Sequence, residues 1–179
     1  ATRNENWFGP FMYGVSHVPH PNRYRSDFGL EGEAADIAAA KYVEQEIINQ
    51  GPETVAAVIG EPISSAAGLH VPSPKYWQML REICDRHGVL LILDEVFCGL
   101  GRTGVRYACE REGVAPDLMV LAKGLAAGYQ PISATLVSGE IYETVARKRG
   151  MFQHGHSYQA HATACAAALA VQTVIREQG

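Results

Sequence analysis

Lys123 follows an apolar run, Leu118-Met-Val-Leu-Ala122. An amine placed at the end of such a run is poorly solvated, which lowers its pKa and makes it a nucleophile. Two acids, Asp94 and Glu95, follow a second apolar run, Val89-Leu-Leu-Ile-Leu93, and Glu61 comes shortly after a third, Val55-Ala-Ala-Val-Ile59. If the three runs are parallel strands of one sheet, their carboxyl ends open on one crevice, where open α/β sheets bind ligands. Charged groups from the ends of three strands would then converge there, a lysine nucleophile among carboxylates. A purely structural reading fits the same positions. In it Lys123 and Asp94 pair as ions at the sheet edge, and Asp94 caps the turn that follows its strand.

The elements that must position these residues follow from the pattern. Residues 1–30 hold Pro10, Gly14, Pro19 and Pro21 and read as loop. Glu33 to Gln50 reads as a helix, with Ile37, Val43, Ile47 and Ile48 on its apolar face and Gly51-Pro52 as the stop. Pro74 to His87 reads as an amphipathic helix with Ser73 as N-cap and Gly88 as terminator. Continuous apolar runs such as 89–93 and 118–122 are the signature of parallel strands buried on both faces. Ala134 to Val137 makes a fourth strand; Ile141 to Lys148 and Ala160 to Glu177 make helices. Strand–helix–strand order of this kind gives an α/β fold, a mostly parallel sheet with helices on both sides.

Composition excludes several classes. A formal net charge of −4 in 179 residues argues against a nucleic-acid footprint, which needs a basic face. No apolar run approaches the roughly 18 residues of a membrane helix. Cys84, Cys98, Cys109 and Cys165 are widely spaced, with no C-x-x-C pair, and read as buried or incidental thiols in a reducing compartment rather than as zinc ligands.

Two motifs compete for function. Gly99-Leu-Gly-Arg-Thr-Gly104 is a literal G-x-G-x-x-G, the dinucleotide fingerprint. It does not follow its strand directly, and the acid expected to end the next strand is replaced by Lys123, with Asp117 at that strand's beginning. A glycine-rich loop after an active-site strand fits better. His154-Gly-His-Ser-Tyr-Gln-Ala-His161 precedes an Ala-rich helix whose first amides suit a phosphate. Its histidines lack acidic partners, so no metal is expected.

Together these segments resemble the class III, or omega-type, aminotransferases of pyridoxal-phosphate fold type I. The resemblance rests on Gly60-Glu-Pro-Ile63, Leu91 to Gly104, Ala122-Lys-Gly-Leu-Ala-Ala-Gly128 and His154-Gly-His-Ser-Tyr158, in that order along essentially the whole chain. It implies that Lys123 forms the internal aldimine with pyridoxal 5'-phosphate and then shuttles the proton between substrate Cα and the cofactor. It implies that Asp94 pairs with the pyridinium nitrogen, keeping the ring an acceptor of carbanion charge. Val96 packs against one face of the ring, Glu61 lies close to the cofactor, and Ser157 binds the cofactor phosphate of a partner subunit in a homodimer. Substrates would be a small-molecule amino donor and a keto acid, with no nucleic acid or membrane partner, in the cytoplasm.

Departures from the family pattern refine this expectation. Phe97 stands where many members have a glutamine bonded to the cofactor hydroxyl. Ala66 stands where the ornithine and gamma-aminobutyrate enzymes carry a glutamate that gates a carboxylate-binding arginine. Both point toward enzymes that use pyruvate with an amine or omega-amino acid. Position 162 is Ala where the family usually has proline, a minor change. The resemblance further implies that residues 1–179 are part of the large cofactor-binding domain. The family's phosphate loop and ring-stacking aromatic would lie upstream and its small domain downstream, so the chain by itself is expected to be inactive and poorly soluble. Two alternatives stay open: an aminomutase, epimerase or decarboxylase built on the same cofactor, and a non-catalytic nucleotide-binding α/β domain.

Overall fold

The computed structural model of the chain describes residues 10 and 12–178. Residues 12–31 form no helix or strand, and helix α1 (Gly32–Gln50) follows them. Then come a 3-10 turn (Pro52–Thr54), β1 (Ala57–Gly60), α2 (Pro74–His87), β2 (Leu90–Asp94), the short α3 (Ala108–Glu112), β3 (Leu118–Leu121), a second 3-10 turn (Lys123–Leu125), β4 (Ala134–Val137), α4 (Gly139–Arg149) and α5 (Ala162–Gln178). None of these helices is long and apolar enough to cross a membrane.

The strands form one sheet in the order β1-β2-β3-β4. β1, β2 and β3 are parallel, with Val58 opposite Leu91 and Leu93 opposite Met119, and β4 turns back antiparallel on β3. The expected mostly parallel α/β sheet is present, its fourth strand being the antiparallel exception.

One face of the sheet is closed. Leu91, Leu93, Met119 and Leu121 point into a core with Trp77, Leu80 and Ile83 of α2 and Ala39, Ala40, Val43 and Ile47 of α1. Side chains alternate across a strand, so the intervening residues lie on the other face. There Ile59 is 64% and Val137 45% exposed, and Ile92, Leu118 and Val120 are half-buried. The expectation of burial on both faces is therefore corrected: the described helices close one face and leave the other partly open.

Local boundaries shift for identifiable reasons. Val55 donates to Pro52 O and closes a 3-10 turn, so β1 begins at Ala57 rather than at 55. Gly88 ends α2 in the left-handed conformation as expected, but the Ser73 hydroxyl makes no capping bond; the Ser73 main-chain carbonyl accepts Tyr76 N instead. Ala160 sits at φ 55°, incompatible with a helix, and α5 starts at Ala162. The buried face of α1 is made of Ala35, Asp36, Ala39, Ala40, Val43 and Ile47; Ile48, placed on that face by the sequence pattern, is 49% exposed.

Candidate active site at the carboxyl edge of the parallel strands

Because β1, β2 and β3 run parallel, the residues after each emerge on the same edge of the sheet. Glu61 follows β1, Asp94 ends β2, and Lys123 follows β3 by two positions. The structure thus brings together the three charged groups that the strand pattern aligned.

Each is set by a local device. At Gly60 a Cβ atom would lie 2.9 Å from Cη2 of Trp77, so glycine is what lets the indole close the core directly beneath this edge. The Glu61 carboxylate then accepts both the main-chain N–H and the hydroxyl of Ser65 at 3.0 Å, tightening the loop after β1. Asp94 Oδ1 accepts the main-chain N–H of Val96 at 2.9 Å, so the turn-capping role holds. The capping bond fixes the carboxylate while Asp94 still borders a cleft of about 700 Å³ shared with Glu61, His20, Ser64 and Tyr76. Val96 is half-buried just after it.

Lys123 differs from expectation in two ways. It makes no ion pair with Asp94, nor any side-chain hydrogen bond among the described residues, so the structural ion-pair reading fails. It is also exposed rather than poorly solvated, because it stands beyond the strand at the start of a 3-10 turn and borders a second cleft of about 430 Å³. Its backbone has φ 45°, a left-handed conformation that costs a non-glycine residue on the order of 1 kcal/mol or more. Strain of this kind persists where surrounding structure imposes it, and it is concentrated at functional sites.

Glu95, counted among the charged edge groups, belongs to the interior. It is fully buried, and its two carboxylate oxygens accept the main-chain N–H groups of Ala108 and Cys109, each at 2.7 Å. It supplies from a distance the cap that α3 lacks locally. Gly99 permits this, since a Cβ there would lie 2.8 Å from Glu95 O and 2.9 Å from Oε2.

The glycine-rich segment 99–104 is a series of turns, with Leu100, Gly101 and Gly104 all at positive φ, and α3 begins only at Ala108. A dinucleotide fingerprint needs its glycines in a direct strand-to-helix turn, so that reading fails on geometry. Asp117 has a structural partner set instead: it accepts Leu91 N at 2.7 Å and pairs with Arg81 at 2.8 Å.

Ser157 lies in an exposed turn before α5 and lines neither of these two clefts. One of the amides expected to be free for a phosphate is already used: His161 Nδ1 accepts Ala164 N at 3.3 Å, capping the helix just before Ala162. Among the described residues no three metal-ligating side chains cluster. Cys84, Cys98 and Cys109 are buried, their thiols pushed up to about 11, 11 and 12 chiefly by desolvation, and Cys165 is exposed.

Sequence reasoning missed two groups near the site. Asp36, fully buried on α1, accepts Ser73 N at 2.7 Å and pairs with Arg23 Nε at 3.4 Å, tying the loop before α1 to the start of α2. That loop brings His20 to the larger cleft, its ring 4.8 Å from that of His70. Burial, with the charge of His70, holds His20 below the ordinary histidine range. A signal for Asp36 existed: it lies three and four positions before Ala39 and Ala40, on the face those residues bury.

Comparison with known proteins points the same way. The family described as Aminotransferase class-III matches residues 1–179. The putrescine–pyruvate aminotransferase of Pseudomonas aeruginosa is 41% identical over 165 residues, covering 92% of this chain and 36% of its own length. The diaminobutyrate–2-oxoglutarate transaminase of Halomonas elongata is 38% identical over 172 residues, covering 92% and 36%. An amine transaminase from an uncultivated Pseudomonas species, solved with pyridoxal phosphate bound, superposes with a TM-score of 0.94 at 38% identity, over 99% of this chain and 41% of its own. The chain spans about a third to two fifths of the length of such relatives.

Proposed function

The chain belongs to the class III aminotransferases, and from that premise we propose that it carries the catalytic lysine of a pyridoxal-phosphate-dependent transaminase. The reaction moves an amino group from an amine or omega-amino acid to a keto acid, with pyruvate as acceptor. The observation that carries this reading is the placement of Glu61, Asp94 and Lys123 on one edge, with Lys123 unpaired and held in a left-handed backbone.

The residues fit the cofactor. Pyridoxal phosphate, when bound, supplies an electron sink for charge developing at substrate Cα. Lys123 offers the amine that holds the cofactor and afterwards carries the proton at substrate Cα. Asp94, its Oδ1 pinned by Val96 N, presents a fixed carboxylate that holds a proton on the ring nitrogen. Val96 offers an aliphatic surface for one ring face, and Glu61 lies at the cofactor's border. Ser157, outside both clefts of its own chain, is assigned to the phosphate of a partner subunit, which makes the enzyme a homodimer with shared sites.

Identity does not choose the acceptor, since one relative is named for pyruvate and another for 2-oxoglutarate. Pyruvate is favoured by Ala66 and Phe97, the positions at which the chain departs from the glutamate-using branches. Residues 1–179 are assigned to the large cofactor-binding domain.

The test uses the full-length protein purified with pyridoxal phosphate, reduced with borohydride, digested and mapped by mass spectrometry. A pyridoxyl adduct on Lys123 is expected. No adduct, or one on Lys41, Lys75 or Lys148, overturns the assignment. Alanine formed from pyruvate and an amine then separates transamination from an epimerase or aminomutase, which makes none.

A further inference from the structure

The turn that carries Lys123 is held from outside itself. Lys123 and Ala127 both sit in the left-handed region, at φ 45° and 48°, a conformation unfavourable for any residue but glycine. Two such residues so close together persist only where the surroundings over-determine the turn. The bonds inside it are local: Leu125 N donates to Ala122 O at 3.0 Å, and Ala127 N to Gly124 O at 3.3 Å. They shape the turn without fixing where it stands against the sheet.

Contacts from elsewhere in the chain do that. Ala126 is fully buried, and Gly124 lies so near the glycine-rich loop that a Cβ would come within 3.2 Å of Leu100 Cβ. Gln172 Nε2, on α5, donates to Leu125 O at 3.0 Å. Among the described residues this is the one side-chain hydrogen bond that reaches residues 122–128, and Leu125 O accepts no main-chain N–H. Gln172 therefore supplies both the missing donor and the directional tie.

The helix that carries it is built to reach the turn. Ala164 and Ala168 are the buried residues of α5, and Gln172, half-buried, continues their stripe at the same four-residue spacing. The two alanines let the helix come close. Among the described elements, the lysine turn is the one against which α5 packs most.

We propose that Gln172 is a positioning residue for catalysis: through Leu125 O its amide fixes the turn, so that the Lys123 amine stands where its chemistry requires. Gln172 lines neither cleft and acts only through Lys123. A turn released from α5 lets the left-handed backbone relax and swings the amine, and a displacement of about 1 Å is enough to cost about 10²-fold in rate. The inference rests on the transamination reading.

The test uses full-length holoenzyme. Gln172→Met keeps the length of the side chain and removes the donor. The half-reaction with an amine is followed by the cofactor's absorbance, and the absorbance of the resting holoenzyme is titrated against pH. The limiting rate is expected to fall about 10–100-fold with the amine's half-saturating concentration within about twofold, the pattern for a group that acts after binding. The resting titration should also move, because it reports how the amine is set on the cofactor ring. Gln172→Glu has no donor at neutral pH, but its carboxyl faces a carbonyl at a half-buried site and regains an O–H on protonation. Its rate relative to Gln172→Met should therefore rise as pH falls from about 8 to about 5.5. If the methionine variant does not fold, the same rise relative to wild type carries the test.

A packing role would lower the thermal midpoint of both variants and leave the limiting rate, the titration and that pH trend unchanged, which overturns the proposal. A loss shared equally between rate and half-saturation overturns it as well. If borohydride labels Lys123 while these readouts stay at wild type, this inference alone fails; if Lys123 is not labelled, the transamination reading fails first.

Discussion

Asp94 and Glu95 are adjacent carboxylates at the end of one strand, and they belong to two different regions. Strand alternation sends Asp94 to the open edge, where one oxygen meets a single backbone amide and the residue borders a cleft. Glu95 goes into the closed side, fully buried, where both oxygens are saturated by the first amides of α3. The open edge holds charged groups with spare capacity: Lys123 without a partner among the described residues, Asp94 half-buried, Glu61 hydrogen-bonded to Ser65 of its own loop. In the closed region Glu95 and Asp36 use their charge to fasten helix starts. A buried charge left unpaired is strongly destabilising, so acids on the closed side must be hydrogen-bonded, whereas solvated ones are free for chemistry.

The comparison breaks most visibly at Lys123. Lys123→Ala in the full-length protein should lower transamination on the order of 10³-fold or more, since both the covalent hold on the cofactor and the proton carrier are lost. Measured without cofactor, its thermal midpoint should scarcely move, because among the described residues the side chain has no hydrogen bond or ion pair to lose and exposed substitutions stay within about 0.5 kcal/mol. Comparable losses of activity and stability would mean that Lys123 is structural.

Glu95 should show the reverse. Glu95→Ala strands two buried main-chain donors and is expected to cost about 3 kcal/mol in denaturant unfolding, with Glu95→Gln intermediate because it keeps an acceptor. Asp94→Asn should cost under about 1 kcal/mol, having a single bond at a half-buried site. The buried thiols give an independent readout. Cys109, whose amide Glu95 holds and whose thiol is pushed up to about 12, should resist alkylation near neutral pH in the wild type and react measurably faster in Glu95→Ala.

How much of this was legible in the sequence follows the same division. The three apolar runs and the charged residues after them were enough to place Glu61, Asp94 and Lys123 on one edge, because strand polarity and the location of α/β sites are general rules. What the runs could not show was the phase of the strand end, and so Glu95 was counted with its neighbour although its side chain turns inward. Nor could apolar runs show that one sheet face stays partly open, because that depends on which helices the chain supplies. The inner face of α1 was legible only in part. Val43 and Ile47 lie on it as the pattern predicts, but the rest is alanines around Asp36, too small to mark a face, and Ile48 turns outward.

A smaller effect sharpens the contrast at Lys123 itself. If the left-handed backbone at this residue is imposed by the site, Lys123→Gly should relieve it and stabilise the protein by about 0.5–1 kcal/mol over Lys123→Ala, with both variants inactive. Denaturant midpoints of the two variants decide this. Equal midpoints would mean that the turn stores no strain, and the case for a functionally imposed conformation at this lysine would be lost.

An effect of comparable size belongs to a charge cluster distant from both regions. Glu44 of α1 pairs with Arg86 and, at 3.1 Å, with His87 Nε2 at the end of α2. The His87 hydrogen bond, followed by the smaller influence of Arg86, holds the Glu44 carboxyl below the usual glutamate range. A depressed carboxyl contributes stability above its unfolded pKa, near 4.3, and loses it as pH falls through the lower folded value. Because the pair lies at the surface, with Arg86 exposed and Glu44 half-buried, Glu44→Gln should cost about 1 kcal/mol at pH 7, and less in high salt. The difference between wild type and variant should shrink steadily below about pH 4 as Glu44 takes up its proton. A constant difference down to pH 3 would assign the contribution to packing between α1 and α2 instead of charge. The cluster would then be grouped with the closed interior, where groups are held by burial.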